Sequence, residues 1–94
     1  MHAMLVTVDI ESDRVDESTK VLHEITIPGA KAQAGFQRGV WIRSADGSNG
    51  RGLVIFDTED NANACASMLR EQGPPPQAPV KFRTIEIFEV VGEA

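Results

Sequence analysis

The 94-residue chain has no tyrosine, one tryptophan and one cysteine. A lone cysteine excludes an internal disulfide and a Cys-rich metal site, and this usage fits a cytoplasmic protein. Basic residues are scarce, nine against 14 acidic, for a net charge of −5. No run of Lys or Arg offsets that balance, so the surface repels phosphate backbones and nucleic acid is not expected as a partner. No apolar run approaches the roughly 20 residues needed to cross a bilayer. The N-terminus lacks the basic-then-apolar pattern of a secretory leader. With two histidines and no acidic cluster that spacing brings together, no metal site and no cofactor is expected.

What is present reads as an ordinary folded domain. Hydrophobic residues make up 41% and charged residues 24%, outside the disordered range. The length allows one domain, residues 1–94, burying about 60–70% of its extended surface in one modest core. Met4, Val6, Val8 and Ile10 alternate and predict a strand over 4–10. A helix over 14–34 follows, with Asp13 as its cap, Val15, Leu22 and Ile25 on one side, and an interruption at Pro28-Gly29. Residues 36–43 and 50–57 form a hairpin around the Asp46-Gly47 and Asn49-Gly50 turn signals. Thr58 or Asp57 starts a second helix over 58–71 with a buried Ala62, Cys65, Ala66 stripe, ended by Gly73 and three prolines. A last strand spans 80–91, and its apolar parity shifts between Phe82 and Ile85, which points to a bulge or to burial on both faces.

The order βαββαβ predicts an α+β, ferredoxin-like fold: a four-stranded antiparallel sheet with both helices on one face. The other face is not polar. It must carry either Leu53 and Ile55 or Val54 and Phe56, an apolar patch that soluble monomers rarely expose. A homodimer built sheet to sheet is therefore expected, with the excess length of the last strand pairing with the partner's edge and Trp41 as an interface anchor.

The chain resembles the dimeric α/β-barrel superfamily, in particular its antibiotic-biosynthesis-monooxygenase-like group. The features that carry this are Gly35-Phe36 opening strand two after a kinked helix, the hairpin running into Phe56-Asp57-Thr58-Glu59-Asp60, and the Ala-rich second helix. The resemblance implies a dimer and a ligand site between sheet and helices. Its members include cofactor-independent monooxygenases of aromatic polyketides, haem degraders and isomerases. The catalytic residues do not transfer. Haem degraders use an Asn on the first strand and a Trp and His on the second helix; residues 4–10 lack the first and residues 59–72 lack the others. The polyketide monooxygenases rely on Tyr and Trp, and here the only such residue is Trp41.

Four residues stand out as ligand-binding candidates. Phe36 and Arg38 share a face of strand two with Val40 and Ile42, which sets a guanidinium beside an apolar surface. It then answers either a carboxylate such as Asp9, Glu86 or Glu89, or an acidic ligand held bidentately. His23 is the one histidine away from the N-terminus, but lies off the apolar stripe and reads first as a solvated flank residue. Asn61 either aims a polar group into the helix–sheet cleft or belongs to the helix start. Cys65 reads as a small buried hydrophobe. Two functions follow. One is a small-molecule site for an apolar or aromatic compound, catalytic in a monooxygenase-like or isomerase-like way or purely binding. The other is a non-catalytic dimeric module with a filled cleft. A void of several hundred Å³ with a polar group at its wall separates them.

Overall fold

The computed structural model describes all of residues 1–94. Strands β1 (His2–Ile10), β2 (Phe36–Arg43), β3 (Asn49–Phe56) and β4 (Val80–Glu89) form one sheet in the order β2-β3-β1-β4, every neighbouring pair antiparallel. The ferredoxin-like fold read from the sequence is the fold observed. β1 begins two residues earlier than the alternation suggested, and β4 ends at Glu89, so the two strands match along their whole length. The surplus of strand expected at the C-terminus is therefore absent. The bulge foreseen in β4 is present: Thr7 pairs with Thr84 and Val8 with Phe82, which leaves Arg83 unpaired.

Residues 44–49 close the β2–β3 hairpin as the sequence suggests. Gly47 supplies a φ of 77°. Asp46 Oδ1 accepts from the Ser48 amide (2.9 Å), the Ser48 hydroxyl (2.7 Å) and the Ser44 hydroxyl (2.8 Å). These donors hold the Asp46 carboxyl down at about 2, because each favours the charged form. The turn fixes the register that sets Trp41 opposite Gly52.

The first helical segment departs most from expectation. It runs as α1 (Val15–Val21), a π turn (Leu22–Thr26) and α2 (Ile27–Lys31), continuous through Pro28. Proline lacks a donor and its ring presses on the carbonyl four residues back. The widened turn just before it, with the Ile27 amide bonded to the Leu22 carbonyl, absorbs the misfit. The interruption thus lies upstream of Pro28 rather than at it. Asp13 makes no cap; Arg14 instead bridges Glu11 (2.8 Å) and Glu17 (2.7 Å). No residue of this segment is fully buried.

Helix α3 (Glu59–Gln72) packs closely. Its Ala62, Cys65 and Ala66 join Met4, Val54 and Phe56 in the core, small side chains letting the helix approach the sheet. The Thr58 hydroxyl accepts from the Asn61 amide (3.1 Å), and Gly73 ends the helix at φ 70°. At the other end of the first helical segment, Gly35 sits at φ 77° and gives its carbonyl to the Asp57 amide (2.9 Å). A Cβ at Gly35 would strike Asp57 Oδ1 and Asn61 Nδ2, so glycine is needed for space as well as for backbone shape.

The two sheet faces differ. Met4, Val6, Val8, Gly52, Val54 and Trp41 face the helices. The outer face carries Leu5, Leu53, Ile55, Arg38, Val40 and Ile42, by strand alternation and register. Val40, Ile42, Leu53 and Phe88 are exposed there. Beyond β4 the Val90 amide bonds to the Met1 carbonyl (3.0 Å) and Glu93 pairs with Arg38 on the far edge strand. Residues 90–93 therefore cross this face of their own sheet, where Ala3 and Ile55 are the buried outer-face side chains. No helix is long and apolar enough to cross a membrane.

Candidate functional site

The core fills one end of the space between helices and sheet, and the other end is open. There a cavity of about 830 Å³ lies between the sheet, the first helical segment, α3 and the Pro74–Pro76 loop. Seventeen of its 31 lining residues are hydrophobic. Ser18, Leu22, Ile25, Gly29 and Gln33 line it at helical spacing from one side, and Cys65, Met68, Leu69 and Gln72 from the other.

Trp41 forms part of the cavity floor. Its indole lies flat against the sheet because glycines occupy both positions beneath it. A Cβ at Gly39 would come within 2.6 Å of the ring and one at Gly52 within 2.7 Å of Nε1. The sheet therefore carries its largest side chain at low height, and the space above it remains free. Two residues further along β2, Arg43 turns to the same side. Its Nη1 donates to the Thr19 hydroxyl of α1 (2.6 Å), which itself donates to the Val15 carbonyl (3.3 Å). Cys65 is buried in the core at the inner end of the cavity, and burial pushes its thiol up from the usual value, so the reactive thiolate is disfavoured.

The residues singled out in the sequence do not line this cavity. Phe36 and Arg38 fall on opposite faces. Phe36 pairs with Phe56 and Arg38 with Ile55, so Gln37 is bulged out and the alternation resets. Phe36 packs on the core. Arg38 lies on the outer face and meets Glu93, a carboxylate partner other than the three considered. His23 is exposed on the π turn, away from the cavity. Asn61 belongs to the helix start, with Nδ2 donating to Asp57 Oδ1 (2.8 Å). Trp41, expected at the subunit interface, faces the cleft. His2 lies in β1 beside Glu59 (3.4 Å). The residues missed were Arg43 and Thr19. The signal that could have found Arg43 is the pair Gly39 and Gly52, which marks the face able to hold Trp41 and, by alternation, Arg43.

Solved structures that share this fold include three from different sources. A monooxygenase from the gene ActVA-Orf6 of Streptomyces coelicolor, in complex with the ligand nanaomycin D, superposes with a TM-score of 0.62 at 16% identity, over 99% of this chain and 89% of that one. A dimeric ferredoxin-like protein from an uncultured marine organism gives 0.67 at 14% identity, over 100% and 98%. Rv0793 from Mycobacterium tuberculosis gives 0.64 at 15% identity, over 100% and 99%. The shared feature is the fold. It agrees with the resemblance to the antibiotic-biosynthesis-monooxygenase-like dimeric α/β barrels. No family model and no curated protein matches the sequence.

The glycine floor gives a direct test. Ala at position 52 gains less than about 1 kcal/mol of strand propensity, while overpacking against the indole costs about 1–3 kcal/mol. Gly52→Ala should therefore lower unfolding free energy in a denaturant titration and shift the emission of Trp41, the only tryptophan. Unchanged stability with unchanged emission would contradict the stacked arrangement.

Proposed function

We propose that this cytoplasmic chain is a single-domain homodimer that binds a small apolar or aromatic molecule in the cleft of each protomer. The cavity of about 830 Å³ carries this reading. It falls within the usual range for small-molecule sites, about 300–1,000 Å³, and its wall combines aliphatic side chains, one indole and a few polar groups. A filled cleft would have left no such volume. The fold is shared with a monooxygenase bound to nanaomycin D, which supports a ligand in this fold without specifying one here.

Binding is the assigned role in preference to acid–base catalysis. The wall has no carboxylate, histidine or tyrosine; its titratable side chains are Cys65 and two arginines. A general base must reach the proton that it removes, and none stands there. Monooxygenase-like or isomerase-like chemistry would have to draw on the reactivity of the bound compound.

The homodimer rests on the outer face. Val40 and Ile42 are 57% and 61% exposed beside Leu53, and apolar clusters of this kind mark contact surfaces. A neighbour in fold is described as dimeric.

Calorimetric titration with 2-naphthamide, a neutral bicyclic probe, should show saturable binding of one molecule per chain. It should also perturb Trp41 emission. Ala30→Phe, which fills the cavity from α2, should abolish binding with the far-ultraviolet spectrum retained. Binding that survives Ala30→Phe would place the ligand elsewhere.

Light scattering during gel filtration should give twice the mass of the 10.2 kDa chain, and Ile42→Glu should halve it without loss of secondary structure. A wild-type monomer at micromolar concentration would overturn the dimer.

A further inference from the structure

We infer that the cleft selects carboxylic acids: an apolar ligand whose carboxylate is held by Arg43. The inference rests on the cleft-binding reading above and names its ligand class.

Arg43 and Arg51 are the only charged residues at the cavity wall. Arg51 stands opposite Ile42 and so presents its side chain to the outer face. Arg43 shares the face of Trp41, and its bond to Thr19 on α1 fixes the guanidinium beside the cavity. None of the five ion pairs in the molecule includes it. Four of the other five arginines have protein acceptors of full or partial negative charge: Arg14, Arg38 and Arg83 hold carboxylates, and Arg70 donates to the Ile85 carbonyl (2.8 Å).

One guanidinium nitrogen of Arg43 is used by Thr19, and Nε and Nη2 make no protein hydrogen bond. Those two form an edge that matches the two oxygens of a carboxylate. The Thr19 bond uses one donor to hold the side chain still, so less rotamer freedom is lost when the second edge engages a ligand. The remaining polar groups on the wall, among them Ser18, Thr26, Gln33 and Gln72, are neutral and do not oppose an anion. The chain as a whole is acidic, at −5, and repels anions at long range. Selection of an acid must then come from the local fork and from burial of the ligand's apolar body.

The test compares 2-naphthoate with 2-naphthamide, which have the same ring and nearly the same shape, by calorimetric titration of the full chain at low ionic strength. The acid should bind roughly tenfold more tightly than the amide, the size expected when a hydrogen bond to a neutral group is replaced by one to a charged group. Arg43→Met should bring the two affinities together by weakening the acid and leaving the amide, whose unchanged binding reports an intact cleft. Arg43→Lys should retain part of the preference. Arg38→Met, on the other face, should retain all of it. Equal affinities in the wild type, or a preference that survives Arg43→Met, would overturn the carboxylate selection and leave the cleft reading standing. Failure of both probes to bind would overturn the two together.

Discussion

The first helical segment is fastened near its two ends, and the cavity exists because of that. At its start Val15 lies against the Gly47 turn. At its finish the chain turns through Gly35, whose carbonyl is held by Asp57. Between these points the segment buries no side chain completely. A helix that packed like α3 would close the space, as Ala62, Cys65 and Ala66 do on their side of the sheet. The π turn adds to the effect by widening the helix where it passes over the sheet.

An open apolar cavity is a cost that a ligand can offset. Each 100 Å² of apolar surface removed from water is worth about 2.5 kcal/mol. A small domain has only about 5–15 kcal/mol of net stability, so occupancy would contribute a sizeable share. Stability and ligand concentration are then linked, and the segment that spans the cavity is the part with most to gain. The outer face follows the same logic: Val40, Ile42 and Leu53 leave apolar surface that association would cover. Helix placement and sheet-face composition thus answer one question twice, where surface left uncovered by the chain itself is to be buried.

Element order, the hairpin, the α3 stripe and the β4 bulge were legible because each follows from local patterns: alternation, turn residues, helical spacing. The site was not, and the reason is one residue. Phe36 and Arg38 share a face in any regular strand, and only pairing with β3 reveals that Gln37 is bulged out. The bulge in β4 shifts the apolar parity of its own strand, whereas the one at Gln37 leaves the alternation of β2 looking regular. Every inference from the parity of β2 inverted with it, so Arg38 moved to the outer face and Trp41 into the cleft. Pro28 misled for a related reason: its local preference is to break a helix, and the chain met it with a π turn instead. Asn61 resolved to the local role, because Asp57 and Thr58 already stood within reach of it.

The central claim is that a small molecule occupies the space above Trp41. The single tryptophan gives a single indole N–H signal in a proton–nitrogen spectrum, and intermolecular Overhauser effects from bound 2-naphthoate locate the ligand against it. The account predicts effects from the naphthalene protons to the Trp41 indole and to the methyl groups of Leu22 and Met68. Effects confined to Val40, Ile42 and Leu53 on the outer face, or an indole signal untouched at saturation, would contradict it.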